Sequence, residues 1–204
     1  SATITNTTLD DFSAEGNESY TVTITGVSQS NGTYENVAIH PTINSATGTI
    51  IDGVTLGNPT DAYVDEDNFD ITNPSTTIHD TQSLNISAPN GDNGYILSFE
   101  STPTFTSDDV GYTVLTSDGT AIEYVVSGNT TTAYAGSGRT ASDKVFVITL
   151  NKNGIGGTDD NYTYTQFKNI DHPVAGDDNV VLTFGYKITD GTATSGVQNF
   201  NVTV

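Results

Sequence analysis

The chain has 204 residues, with 25 acidic residues against 5 basic ones and a formal net charge of −20 at pH 7. It contains no Cys, which excludes thiol catalysis, Cys-based zinc sites and disulfide frameworks, and so acidic a surface argues against nucleic acid as a partner. This length suffices for one large domain or two small ones with a buried core, and no apolar run is long enough to span a membrane.

The basic residues are confined to the last third of the chain. All of them follow residue 138: Arg139, Lys144, Lys152, Lys168 and Lys187. Charge of a single sign over the first two thirds opposes compaction by self-repulsion, and carboxylates that cluster with Asn and Gly in turns are typical ligands of Ca²⁺. We therefore predict Ca²⁺ as the cofactor, with a solvated acidic surface as the alternative.

Strands are predicted along the whole chain, and no segment has a convincing helical pattern. Apolar residues recur at every second position in residues 20–24, 95–99, 122–126, 180–188 and 200–204, with Asn-Gly, Asp-Gly and Asp-Asn turns between them. Residues 145–150 are apolar on both faces, which predicts a central strand. Tyr162 and Tyr164 alternate with Thr, as on a sheet edge or a wet face. The fold class predicted is all-β, an antiparallel β-sandwich with elaborated loops.

A domain boundary is predicted at GVTLGNPTD, residues 53–61, where Gly, Pro and polar residues separate two stretches of different character. SATITNTTLDDFSAEGNESYTVTITGVS at residues 1–28 and SATGTIID at residues 45–52 resemble the C-terminal half of a Calx-β domain. The first half of such a domain is missing, so we expect residues 1–53 to complete a composite sandwich. The first residues have the pattern of neither a signal peptide nor a natural start, so we expect the chain to be part of a larger protein.

Residues 54–204 are predicted to form a β-sandwich. Five motifs carry the pattern: YVDED at 63–67, KVFVITLNKNG at 144–154, YTYTQFKNIDHP at 162–173, DDNVVLTFGYKITDG at 177–191 and FNVTV at 200–204. They resemble the long repeat of large type I-secreted bacterial RTX adhesins. The resemblance implies a Ca²⁺-loaded, monomeric module that is secreted to the bacterial cell surface, next to other adhesin domains, and that serves cell adhesion and biofilm formation without inserting into a membrane.

Several acidic clusters are candidate Ca²⁺ ligands because hard cations prefer carboxylate and amide oxygens. The densest lies at residues 65–70, where a site could close with neighbouring loops. The full set of candidates is Asp65, Glu66, Asp67 and Asp70; Asp10, Asp11, Glu15 and Glu18; Asp159, Asp160 and Asn161; Asp108 and Asp109; and Asp177 and Asp178. None of these clusters matches a twelve-residue EF-hand loop.

Two loops are longer than the resemblance leads us to expect, at residues 128–144 and 153–161. Loops added to a rigid sandwich often carry binding function. Glycines in the second loop would allow a backbone nest that holds a carboxylate, beside a bound Ca²⁺ with a vacant position. The predicted ligand-binding residues are Gly154, Gly156, Gly157, Thr158, Asp159, Tyr134 and Arg139.

The predicted function is therefore Ca²⁺-dependent adhesion, with the carboxy-terminus of a peptide on another cell surface as the expected ligand. Two alternatives stay open: a glycan bound through Ca²⁺, and a structural extender domain that Ca²⁺ makes rigid. The three His residues, His40, His79 and His172, are scattered, and no hydrolase, zincin or phosphate-loop motif is present. We expect no enzymatic activity.

Overall fold

A computed structural model describes residues 18–28, 37–50, 54–69, 77–88, 94–108, 111–153, 159–172, 179–190 and 193–204. The described chain is built of strands, with short 3₁₀ turns at Glu66–Asn68 and Ala141–Asp143. The predicted all-β fold is confirmed. No helix within the described ranges is long and apolar enough to cross a membrane.

The strands alternate with turns along the whole described chain. In order they are β1 (Glu18–Thr23), β2 (Ser45–Ile50), β3 (Thr55–Leu56), β4 (Ala62–Tyr63), β5 (Ile78–Ser83), β6 (Ile86–Ser87), β7 (Ile96–Phe99), β8 (Thr104–Ser107), β9 (Thr116–Ser117), β10 (Thr120–Ser127), β11 (Thr130–Ala135), β12 (Lys144–Asn151), β13 (Asn161–Gln166), β14 (Val180–Asp190), β15 (Ala193–Thr194) and β16 (Gln198–Thr203).

Two large sheets form the sandwich. The first has the order β5-β13-β12-β11-β10-β9, and all of its neighbouring strands are antiparallel. The second is organised around β14, which pairs antiparallel with β7, β8, β15 and β16. Strand β4 is added to β16 in the parallel direction.

Aromatic side chains join the two sheets. The Tyr162 ring on β13 stacks on the Phe200 ring of β16, with centroids 3.8 Å apart, and Phe146 on β12 meets Phe184 on β14 edge to face at 6.1 Å. The period-2 alternation predicted for β14 and β16 places such residues on the inner face, while Thr and Asn point outward. Burial of these rings contributes a large apolar area to the core.

The first sheet tests two predictions about single strands. Strand β12 lies between β13 and β11 and buries Val145, Phe146 and Ile148, as its apolar pattern predicts. The prediction of a sheet edge or wet face for Tyr162 and Tyr164 is wrong, because both side chains are fully buried and β5 pairs along the outer side of β13.

Strand register defines two ends of this sandwich. Phe146 pairs with Gln166 at one end of β12 and β13, and Asn151 pairs with Asn161 at the other. We call the first the Glu66 end and the second the Asp160 end. The six residues of β13 separate them by about 20 Å, since a strand rises about 3.3 Å per residue.

Strands β1 and β2 form a two-stranded ribbon that pairs Tyr20 with Gly48. One face carries Tyr20, Val22 and Ala46 in register, and the other carries Ser and Thr. Tyr20 is 46% exposed, and Ile43, in the turn before β2, is 75% exposed. Among the described residues the buried core cluster starts at Val54. The boundary at residues 53–61 and the composite sandwich for residues 1–53 both stay predictions.

Phe200→Ala should cost about 3–5 kcal/mol of unfolding free energy, because it removes a fully buried ring that contacts Tyr162 and Phe184. Tyr63→Ala is the matched control, since that ring is exposed and should cost less than about 0.5 kcal/mol. Urea unfolding measures both values. Equal losses in the two variants would contradict the assignment of the core.

Candidate functional site

The 3₁₀ turn that follows β4 positions Glu66, which is the most buried of the predicted metal ligands at this end of the sandwich. Asp65 caps this turn, and its Oδ1 accepts a hydrogen bond from the Asp67 N–H at 3.0 Å. The turn closes when the Phe69 N–H donates to the Glu66 carbonyl. As a result Asp65 and Asp67 point to solvent, while the Glu66 side chain turns inward and is only 13% exposed.

Glu66 ties its own turn to the segment that follows β13. Its Oε1 accepts a hydrogen bond from the Ile170 N–H at 2.7 Å and another from Gln166 Nε2. Gln166 is itself fully buried, and its Oε1 accepts from the Tyr164 hydroxyl at 3.2 Å. The carboxylate therefore joins two connections that are about 100 residues apart in the chain.

His172 and Asp171 complete this cluster. The His172 Nε2 lies 3.6 Å from Glu66 Oε2. The Asp171 carboxylate accepts the backbone N–H groups of Asp118 and Gly119 at 2.9 and 2.8 Å. Although partial burial raises the pKa of Asp171, hydrogen bonds from the Thr116 side chain and these N–H groups outweigh it and leave the pKa below its ordinary value.

An open groove of about 750 Å³ lies over this cluster. Its walls are Glu66, Asp118, Gly119, Lys168, Asn169, Ile170, Asp171 and His172. A carboxyl, an imidazole and an ammonium group face one polar space, so the groove can bind a polar ligand through hydrogen bonds.

The Glu66 carboxyl has a strongly shifted protonation equilibrium. Burial raises its pKa from the ordinary 4.5 to about 7, and the negative charges of Asp171 and Asp67 add to that rise. Hydrogen bonds from the Ile170 N–H and Gln166 act in the opposite direction but are weaker. The protonated form of Glu66 is therefore populated at a much higher pH than for an exposed Glu.

Strand pairing also brings Asp108 next to Asn179. Ser107 of β8 pairs with Val180 of β14, and the Asp108 N–H donates to the Asn179 carbonyl at 3.4 Å. This register joins the two chain positions that carry the predicted ligand pairs 108–109 and 177–178. Asp109, Asp177 and Asp178 themselves lie outside the described residues.

At the Asp160 end, the predicted ligand Asp160 is used inside the fold. It is fully buried, its Oδ1 accepts the Asn153 N–H at 2.7 Å, and its Oδ2 accepts the Tyr95 hydroxyl. The Lys152 ammonium lies 3.8 Å from the centroid of the Tyr95 ring. Oδ1 of Asp160 thus helps to close the base of the β12–β13 hairpin, and Oδ2 ties the hairpin to the residue before β7.

The neighbours of Asp160 are also engaged in that hairpin. The Asp159 carbonyl accepts the side-chain amides of Asn153 and Asn161 at 3.2 and 3.1 Å, whereas Asp159 as a residue is exposed. The Asn161 Oδ1 accepts from Asn151 Nδ2 at 2.9 Å. The predicted ligand-binding residues of the hairpin tip, Gly154, Gly156, Gly157 and Thr158, lie outside the described residues.

Among the predicted ligand-binding residues that the structure describes, Tyr134 and Arg139 lie apart from Asp159. Tyr134 of β11 pairs with Lys144 at the start of β12, so it lies at the Glu66 end. Arg139, in the turn that follows β11, donates to Glu123 Oε2 at 3.3 Å. Asp159 lies beyond the other end of β12, whose eight residues span more than about 20 Å. One small ligand cannot contact Asp159 and the Tyr134 loop at once.

Calcium binding stays a prediction for every cluster. Glu18 is the first residue of β1, whereas Asp10, Asp11, Glu15 and Asp70 lie outside the described residues. Within the described ranges, no three His, Cys, Asp or Glu side chains are grouped so that they could hold a metal ion. The oxygen donors that are present have the chemistry that suits Ca²⁺, and seven of the fifteen predicted ligands are not described.

The sequence reasoning did not identify Gln166, Asp171 or the groove. Gln166 could have been found, because it continues the inward positions of Tyr162 and Tyr164, and a polar residue at an inward position requires a buried partner.

No protein-family model matches the chain, and no match was found among curated proteins or among solved structures.

Glu66→Gln should make the stability of the protein less dependent on pH. A pKa of about 7 in the folded state against 4.5 when unfolded means that stability from Glu66 is fully present below about pH 4.5 and is lost as pH rises through 7. Allowing for partial exposure, the loss is about 2 kcal/mol. Gln keeps the Oε1 acceptor and does not ionise, so its variant should lack this loss.

Urea unfolding at pH 5 and pH 8, in chelator, measures the difference. Glu123→Gln is the control, since that carboxyl is 42% exposed and forms a surface ion pair with Arg139. An unchanged pH dependence in Glu66→Gln would contradict the assigned protonation of Glu66.

Proposed function

We propose that the chain is a Ca²⁺-dependent ligand-binding module of a bacterial surface adhesin. The observation that supports this most directly is the register of β8 and β14, which brings Asp108 beside Asn179, the residue that follows the acidic pair 177–178 in the sequence. Carboxylates that lie close together repel one another unless a cation lies between them. Ca²⁺ is the cation that such oxygen donors suit best.

The charge distribution of the described residues adds support. Lys187 pairs with Glu100, and Arg139 pairs with Glu123. Lys144 lies over the Phe167 ring and Lys152 over the Tyr95 ring. With only 5 cations for 25 carboxylates, these contacts leave most of the negative charge to ions from solution.

The proposed ligand is a carboxylate, such as the carboxy-terminus of a peptide. A surface of charge −20 repels anions, but a bound Ca²⁺ with an open position reverses the local field and can bridge to a carboxylate. A glycan is the competing ligand, because two vicinal hydroxyls can also coordinate Ca²⁺. Because Tyr134 and Asp159 lie at opposite ends, the proposal does not require both to contact the ligand.

An extender domain is the second candidate function, and the path of the chain favours it. Val54 leads into β3, which pairs with β6 next to Asn85, close to the Asp160 end. Thr203 closes β16 at the Glu66 end, where its carbonyl accepts the Val64 N–H. A domain that the chain crosses from one end to the other is suited to serial arrangement in a stalk.

Removing Ca²⁺ should lower the melting temperature. With a dissociation constant of about 10⁻⁴ to 10⁻³ M, one site at 10 to 100 times that concentration adds about 1.4 to 2.7 kcal/mol. The variant Asp108→Asn with Asp178→Asn should lose most of this gain. The charge-matched control, Asp118→Asn with Glu123→Gln, should keep it. Differential scanning calorimetry with and without chelator tests this. A melting temperature that is the same with and without Ca²⁺ would contradict the proposal.

The identity of the ligand is tested by titrating a peptide with a free C-terminus against the same peptide with a C-terminal amide. The acid should bind in Ca²⁺ at least about tenfold more tightly than the amide, a difference of about 1.4 kcal/mol, and neither should bind in chelator. Equal affinity of acid and amide, or binding of simple sugars alone, would contradict a carboxylate ligand. Calcium-dependent melting with no ligand would favour the extender.

A further inference from the structure

The first strands of the sandwich run beside its last strand, and in the same direction. After β3, the Gly57 N–H donates to the Asn85 carbonyl and the Thr60 N–H donates to the Ser83 carbonyl, each at 2.9 Å. The chain then continues as β4 towards the Glu66 end. Residues 57–64 therefore travel along the edge of the molecule from the Asp160 end to the Glu66 end.

Strand β16 ends at the same place as this segment. Ala62 and Tyr63 pair in parallel with Val202 and Thr203, and the Val64 N–H donates to the Thr203 carbonyl at 2.9 Å. This is the one parallel pairing among the described strands, since every other pair is antiparallel.

Side chains reinforce the pair. Asp61 Oδ1 accepts the Asn201 backbone N–H at 2.7 Å, and Asp61 Oδ2 accepts Asn201 Nδ2 at 3.2 Å. The Asn201 Oδ1 in turn accepts the Thr183 hydroxyl of β14 at 2.9 Å. One line of hydrogen bonds thus runs from the segment before β4 through β16 to the centre of the second sheet.

Tension applied along the chain loads this pair in shear. A pull on residue 58 draws β4 back towards the Asp160 end, and a pull on Val204 draws β16 forward at the Glu66 end. Because the strands are parallel and adjacent, the two forces slide them past each other, and the bonds between them must break together. When both forces act at one end of a sandwich, the bonds break one after another, which requires less force.

We propose that the parallel β4–β16 pair, with the Asp61–Asn201 link, is a mechanical clamp that makes this sandwich a load-bearing element under tension. The clamp belongs to the fold and needs no bound ion. It rests on the proposed function in one respect, because neighbouring adhesin modules would supply the load.

Single-molecule pulling tests the clamp, and the absence of Cys from the chain allows handles at chosen engineered cysteines. The loaded geometry uses Asn58→Cys, an exposed position, and a cysteine added after Val204. The reference geometry replaces the first handle by Ser142→Cys, which is exposed at the Glu66 end. Forced unfolding reports the barrier along each direction. We expect the force in the loaded geometry to exceed the reference at least about twofold at equal pulling speed; equal forces would overturn the clamp.

A variant pair keeps the test specific. Asp61→Ala should lower the unfolding force in the loaded geometry and leave the reference geometry unchanged, whereas the exposed-carboxylate control Glu123→Ala should alter neither. If Asp61→Ala lowers both forces equally, it acts on general stability and the assigned link is wrong. All measurements are repeated in chelator. If the force difference between the two geometries remains and Ca²⁺ has no effect on the melting temperature, the clamp is supported and the proposed function is refuted. If the two forces are equal and the melting temperature depends on Ca²⁺, the clamp is refuted and the proposed function is supported.

Discussion

The inward face of β13 is the constraint on which the rest of the sandwich depends. Its alternation presents Tyr162, Tyr164 and Gln166 to the space between the sheets. Tyr162 stacks on Phe200 and donates its hydroxyl to the Thr60 carbonyl at 2.6 Å, which fixes the segment before β4. A shift of one residue in register would turn all three side chains to solvent and place Thr in the core.

The same strand sets the electrostatic character of both ends. At the C-terminal end of β13, Gln166 donates a hydrogen bond to the Glu66 carboxyl, and burial favours the neutral form of that carboxyl. Just before the N-terminal end, the Asp160 carboxyl is buried and accepts a hydrogen bond on each oxygen. Burying a carboxyl is costly unless it is neutralised or fully hydrogen-bonded. Glu66 is largely buried with its neutral form favoured, and Asp160 is buried with both oxygens hydrogen-bonded. Acidic side chains of this chain therefore serve the fold as well as the surface.

The strands were largely predictable from sequence, because period-2 alternation is a local signal. The pattern in residues 180–188 predicted β14, and the two-sided apolar pattern in 145–150 predicted the central position of β12. The position of β13 was not predictable, because Tyr and Thr alternate equally at an edge and in the interior, and only the pairing with β5 decides between them. The site was harder still. Glu66 meets Gln166 across 100 residues, and Tyr134 is separated from Asp159 by the length of β12, relations that depend on the whole topology.

The exposed apolar face of the β1–β2 ribbon affects how separate molecules behave towards each other. Tyr20 and Ile43 present apolar surface, and within the described residues β1 and β2 pair only with each other, which leaves backbone edges that other strands can join. Mutual repulsion between bodies of charge −20 keeps such surfaces apart at low ionic strength, over a range of about 10 Å at 0.1 M salt. Salt shortens that range, and divalent ions bound to the carboxylates lower the charge itself. Raising the ionic strength therefore weakens the repulsion that keeps the ribbons of two molecules apart.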